Sequence, residues 1–301
     1  MAQGPVIFDR VLLRRRRGRA LALGAATFLL DRVAGELAER LATVLRRFEM
    51  AAELGTSGQA VRRALAGSVG TLIAVAEPGS TNAVGASVIA DLEALPLRDS
   101  SLDLAVSALA LQFVNDLPGT LAQVRRTLKP DGLFLAALVG GSSLTELREA
   151  FAAAEAEIEG GASPRVAPFV EVRELGTLLQ RAGFALPVTD VDRIIVRYDS
   201  PLALVHDLRK MGATNALTER QRSPLRRTTL RRMLQIYGER FADADGRVRA
   251  RFDIVWLSGW APHENQQRPL TPGSAKIRLA DALGTREVSD GEKTRPGCSL
   301  S

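Results

Sequence analysis

Three acidic residues stand where a short apolar run gives out: Glu53 in Phe48 to Leu54, Glu77 after Thr71 to Ala76, and Asp91 after Ser87 to Ala90. A carboxylate at the end of a buried strand can accept hydrogen bonds from sugar hydroxyls or an amine. A glycine just beyond it permits the positive φ and close backbone approach that a bound cofactor demands. Here the first acid opens the stretch Glu53-Leu54-Gly55-Thr56-Ser57-Gly58-Gln59. The order suits an adenosine cofactor, with Glu53, Gly55 and Ser57 at the first turn and Glu77 on the ribose hydroxyls. Asp91 would take the adenine amino group, and Ser107 closes the fourth run. Ser57 and Gln59 occupy positions where an acidic-x-Gly-x-Gly-x-Gly loop carries glycine, and Gly58 is displaced by one, which weakens the expected grip.

Other chemistry finds little support. The histidines are His206 and His263, with no ligand-like spacing, so a metal site of two histidines and a carboxylate is not expected. The single cysteine, Cys298, has no disulfide partner and reads as a tail thiol in a reducing compartment. No nucleophile and base pair announces itself, and the catalytic residues are left unassigned.

The elements that must position these residues alternate. Apolar runs at 48–54, 71–76, 87–90, 102–109 and 133–139 are separated by helical stretches at 59–66 and 117–128, the latter stopped by Lys129-Pro130-Asp131-Gly132. Short, nearly continuous apolar strands between helices predict a parallel sheet covered on both faces. Further helices are expected at 142–159, 171–181, 201–211 and 218–237, with strands at 188–198 and 248–260. The expected fold class is α/β, a Rossmann-like seven-stranded, mostly parallel sheet. The expected organisation is an N-terminal helical extension over 1–45, a main domain over 46–280 with a helical insertion about 199–247, and a disordered tail over 281–301.

Composition is that of a globular chain, with 46% hydrophobic and 25% charged residues. The net charge of +6 is concentrated in Arg14 to Arg17 and in Arg222, Arg226, Arg227, Arg231 and Arg232. Runs like these usually belong to solvated helix faces. Aromatic content of 5%, without any nucleic-acid-binding motif, disfavours a nucleic-acid partner. The apolar stretch from Ala20 to Leu30 behind the arginines superficially resembles a twin-arginine export signal. It is too short to span a membrane and continues as Phe28, Leu29, Val33, Leu37 and Leu41 at helical spacing. The expectation is an amphipathic helix, no membrane span and a cytoplasmic protein.

Leu95-Pro96-Leu97, Ser101 to Leu104 and Leu128-Lys129-Pro130-Asp131-Gly132 resemble class I S-adenosylmethionine (SAM) dependent methyltransferases. Other stretches are more particular: Leu109 to Pro118, Gly140 to Arg148, Glu159 to Phe169, Asp207 to Asn215 and Gly259 to Ala275, with the opening Phe8-Asp9-Arg10. These are similar to complex I assembly factors with a methyltransferase fold and, more loosely, to methyltransferases that esterify malonyl-carrier protein. The resemblance implies SAM as cofactor and a protein substrate, a quinone-module subunit of complex I, with the relative associated with arginine hydroxylation. Gln112 and Phe113 stand where that family usually has His-Trp. Gln112, Glu146, Arg148 and His263 are the substrate candidates that follow. Three function classes remain: a SAM-dependent enzyme modifying a protein side chain or small carboxylate, a non-catalytic assembly factor on the same fold, and a nucleic-acid methyltransferase. The first is preferred, narrowly over the second.

Overall fold

A computed structural model describes residues 6–78, 85–266 and 284. The strands are β1 (Phe48–Leu54), β2 (Val69–Ala76), β3 (Ser87–Ile89), β4 (Leu102–Ala108), β5 (Leu128–Gly140), β6 (Ala185–Tyr198) and β7 (Val248–Trp260). They form one sheet in the order β3-β2-β1-β4-β5-β7-β6. The first five neighbours pair in parallel. β7 then runs antiparallel to both β5 and β6. The α/β class and the mostly parallel seven-stranded sheet are therefore as expected.

β4 lies at the middle of the sheet and is buried at every position, which is why its sequence shows no polar alternation. Its neighbours on alternate sides feed two cores. Leu104 and Val106 join one apolar cluster with α2 (Phe28–Ala42), α5 (Thr145–Glu159) and α8 (Arg227–Phe241). Ala105 faces the other, with α4 (Leu117–Thr127) and α6 (Val172–Arg181). α3 (Ala60–Ala64) follows β1, and α7 (Pro201–Lys210) precedes α8 between β6 and β7.

Some boundaries differ from the sequence expectation for identifiable reasons. The Lys129 to Gly132 turn lies inside β5 as an irregularity in its pairing with β4, with Asp131 at φ 62°. The N-terminal amphipathic pattern divides into α1 (Arg10–Ala22) and α2, parted at Gly24, where φ is 78°. The helix expected over 218–237 starts only at Arg227. Pro224 supplies no N–H and disfavours helical backbone at Ser223, and the residues before it form turns and bends instead of helix.

Contacts divide the chain into two compact units, Met1–His263 and Glu264–Ser301, and nearly every described residue belongs to the first. The expected tail over 281–301, Cys298 included, lies outside the described residues apart from Gly284. Among the described residues no helix is long and apolar enough to cross a membrane.

Candidate functional site

Parallel pairing brings the carboxyl ends of β1, β2, β3 and β4 to one edge of the sheet. Glu53 pairs in register with Ala74 and Val106, and Ala76 with Ile89, so Glu53, Glu77, Asp91 and Ser107 share that edge. Glu53 is 3% exposed, and its Oε1 has no hydrogen-bond partner. Burial pushes its carboxyl up to about 7, partly countered by the Arg62 guanidinium. An unsatisfied buried carboxylate oxygen is costly, and a bound ammonium or hydroxyl removes the cost.

The loop after β1 is held from both sides. The Gly55 N–H donates to the Val75 carbonyl at 2.8 Å, and φ at Gly55 is 70°. A Cβ there would stand 2.5 Å from Leu92 Cδ1, so the position admits only glycine without displacement. The Ala108 N–H donates to Thr56 Oγ1 at 3.0 Å, and the Ser107 hydroxyl donates to the Leu54 carbonyl at 2.8 Å. Ser107 is fully buried, so it braces the loop through Leu54. Ser57 and Gly58 lie open to the cavity above, and no atom crowds Gly58.

Helix α1 stands over the next two strand ends. Its N-cap is Asp9, whose Oδ1 accepts from the Leu12 N–H at 2.9 Å. Arg10 forks between Glu77 at 3.1 Å, Asp91 at 2.7 Å and Glu93 at 3.3 Å. Arg17 also pairs with Glu77, and its guanidinium lies over the Phe113 ring, 5.4 Å from the centroid. Burial, reinforced by Arg10, lowers the Arg17 guanidinium to about 10. The solvated face expected of the run Arg14 to Arg17 is corrected at Arg17, whose side chain is 17% exposed because Glu77 draws it inward, whereas Arg15 is exposed. Asn115 fixes the approach, its Oδ1 accepting from the N–H groups of Ile7 and Phe8 at 2.8 and 2.7 Å. Phe8 bridges to Leu217, so the N-terminal segment ties the strand ends to the insertion that carries α7 and α8.

Between these parts lies a cavity of about 850 Å³. Glu77, Ser57 and Gln112 are on its wall, together with Arg14, Arg16, Arg17, Arg165 and Arg220. Gln112 donates to the Leu109 carbonyl at 2.8 Å, leaving its buried Oε1 without a partner. The other substrate candidates stand elsewhere. Glu146 accepts from the Arg251 N–H at 3.4 Å, Arg148 donates to the Ala167 carbonyl at 3.3 Å, and His263 is exposed beyond the end of β7. No group of three or more metal-ligating side chains occurs among the described residues. Sequence reading names Arg14 to Arg17 as a charged run but does not place it on a cavity wall, and Arg165 and Arg220 carry no such expectation. The available signal was Phe8-Asp9-Arg10 immediately before the run, with a helix cap at Asp9.

The residues fit an adenosine cofactor. Acids end β1 and β2 and follow β3, a positive-φ glycine closes the first turn, and Glu53 presents an unsatisfied oxygen.

Comparison with known proteins agrees. A methyltransferase domain family matches residues 54–136. The arginine-hydroxylase NDUFAF5, mitochondrial, of Danio rerio is 36% identical over 290 residues, spanning 93% of this chain and 90% of that protein. A malonyl-[acyl-carrier protein] O-methyltransferase of Laribacter hongkongensis is 40% identical over 62% of this chain and 61% of its own length. The crystal structure of the YcgJ protein of Bacillus subtilis shares the fold, with a TM-score of 0.52 at 16% identity, over 75% of this chain and 98% of that one. The cofactor of such a domain is SAM.

Proposed function

This chain belongs to the NDUFAF5 family of methyltransferase-fold proteins, and from that premise we propose that it is a SAM-dependent transferase modifying a protein substrate in the assembly of respiratory complex I. The observation that carries the reading is Glu77 on the wall of a cavity of about 850 Å³, with the buried, unsatisfied Oε1 of Glu53 at the same edge of the sheet but off that wall. A catalytic pocket needs a cofactor edge and room for an acceptor, and both are present.

Glu53 would hold the cationic end of SAM, Glu77 its ribose hydroxyls and Asp91 its adenine. SAM supplies an electrophilic methyl group when bound. The chain's own contribution is orientation and exclusion of water: Phe8, Asn115 and α1 roof the strand ends, and the Ser107 and Thr56 hydrogen bonds fix the loop that meets the cofactor. The proposed setting is the cytoplasm, with a quinone-module subunit of complex I as the protein partner.

A second reading, an assembly factor without turnover, is favoured by Ser57 and Gln59 in the loop and by Arg17 seated on Glu77. Methyl-labelled SAM incubated with the protein and an extract of cells lacking it separates the two. The transferase reading predicts label on a protein band, lost with Glu53→Gln. Binding of SAM without label on any acceptor would leave the second reading in place.

A further inference from the structure

We infer that the substrate side chain enters through a second cavity, beside α4 and α6, where Glu174 draws in a cationic group and Gln112 receives its N–H donor. This rests on the transferase reading above and gives its acceptor a port and a reading residue.

The second cavity holds about 470 Å³. Leu111, Val114, Leu117 and Leu138 make a buried apolar floor, and Glu174, Thr177 and Arg181 of α6 form an exposed rim. Phe8, Gln112, Val139 and Phe169 line both this cavity and the one over the strand ends, so the two spaces meet at a common wall. A side chain inserted past α6 therefore arrives beside the ends of β4 and β5 without crossing the first cavity.

Gln112 stands on that common wall with one end of its amide committed. Its Nε2 donates to the Leu109 carbonyl at 2.8 Å, and the Leu109 N–H donates to the Ala137 carbonyl at 2.8 Å. Leu109 has a φ of 53°, which a leucine seldom adopts, and these two bonds hold it there. The other end, Oε1, is buried and has no partner. An amide oxygen only accepts, so the group that satisfies it carries an N–H or O–H. An arriving donor thus removes an existing penalty, which favours binding at this wall.

Charge decides among donors. The rim of the second cavity carries one carboxylate, Glu174, and one guanidinium, Arg181, so a cation meets no excess of like charge on entry. Arg17, which lies over the Phe113 ring next to Gln112, is matched by Glu77. A guanidinium or ammonium on a carbon stem suits both parts of the space. The stem lies along the apolar floor while the head reaches the common wall.

The test is an NMR titration of the full chain, labelled at its valine and leucine methyls, with and without S-adenosylhomocysteine. The probes are the N-acetyl N-methylamides of arginine, lysine, glutamate and norleucine. The arginine or lysine amide is expected to shift Val114, Leu117 and Leu138, which line the second cavity alone, more than Leu29 and Leu147, which line the first alone. The tighter of the two identifies the head group and should bind about fivefold more tightly than the glutamate or norleucine amide. Gln112→Met should erase the preference over norleucine, whereas a merely structural loss would lower both alike. Glu174→Lys, on the exposed rim, should weaken the cationic amide a few-fold at low salt and leave norleucine unchanged. That variant decides the matter if Gln112→Met does not fold. Shifts confined to Leu29 and Leu147 would overturn the inference, as would tighter binding of the glutamate amide or no binding of a cationic amide. So would variants that keep the wild-type preference. A SAM titration of the wild type is recorded alongside. SAM binding without amide binding removes the inference and leaves the transferase reading, and amide binding without SAM binding does the reverse.

Discussion

The molecule carries two arginine-rich segments that look alike in sequence and behave differently in the fold. In α8, Thr229, Met233, Ile236 and Tyr237 recur at helical spacing and are buried, so the helix docks through an apolar stripe. Its arginines are left facing outward: Arg226, Arg227 and Arg231 are exposed, and Arg232 reaches Glu157 at 2.5 Å on the surface. Helix α1 has no such stripe, burying only Leu13 and Ala20. Arg10 and Arg17 pack it instead against the acidic edge at Glu77, Asp91 and Glu93. The fate of a charged run therefore depends on what the rest of its helix offers the core, and on whether acids await it across the chain.

That comparison can be broken at several points. The largest effect is expected from Glu77→Ala, which leaves Arg10 and Arg17 half-buried beside each other without their shared counter-ion. Removing one partner of a buried pair costs about 3–5 kcal/mol, so about 2–4 kcal/mol is expected at this slightly exposed site, read by denaturant unfolding. Glu157→Ala, the matching change beneath Arg232, should leave the unfolding midpoint where it was. If both variants lost stability equally, the two clusters would not differ as described.

The next effect sharpens the chemistry of the α1 side. The Glu53 carboxyl lies near 7, above its ordinary value of 4.5. Its protonated form is thus the one the fold favours. The stability this group contributes is present below 4.5 and declines as pH rises through 7. Cofactor binding should move the other way, because the ionised form is the one that holds a cation. Affinity for SAM should rise roughly tenfold between about pH 6 and pH 8. Calorimetry on Glu53→Gln should show that dependence flattened.

The smallest effect separates the arginines themselves. Arg17→Met removes one of the cations paired with Glu77 while Arg10 stays on it, so SAM should bind a few-fold more tightly. Arg227→Met on α8 should leave the titration unchanged. Weaker SAM binding by Arg17→Met would show that Arg17 supports the cofactor instead of competing for its acceptor.

Much of the sheet was legible because its signals are local. Continuous apolar runs such as Leu102 to Ala108 mark central parallel strands, and the acids at their ends stand out for that reason. The placing of Glu53, Glu77 and Asp91 at one edge of the sheet followed from strand ends alone. The wall of the cavity above it did not. Gln112 is on it, whereas Glu146 is turned to Arg251 and Arg148 to Ala167, because helix α5 presents those side chains to β7 and the neighbouring loop. Arg14 and Arg16 reach the wall through the Asn115 clip and the Phe8–Leu217 bridge. Those contacts join residues far apart in the chain, and no local spacing encodes them.

The most direct test of the central claim is calorimetric titration of SAM into the wild type and Glu77→Ala, with folding of each confirmed by its unfolding curve. The account predicts binding by the wild type and at least a tenfold loss in the variant. Equal affinity in both proteins would place the cofactor elsewhere and contradict the site described at this edge of the sheet.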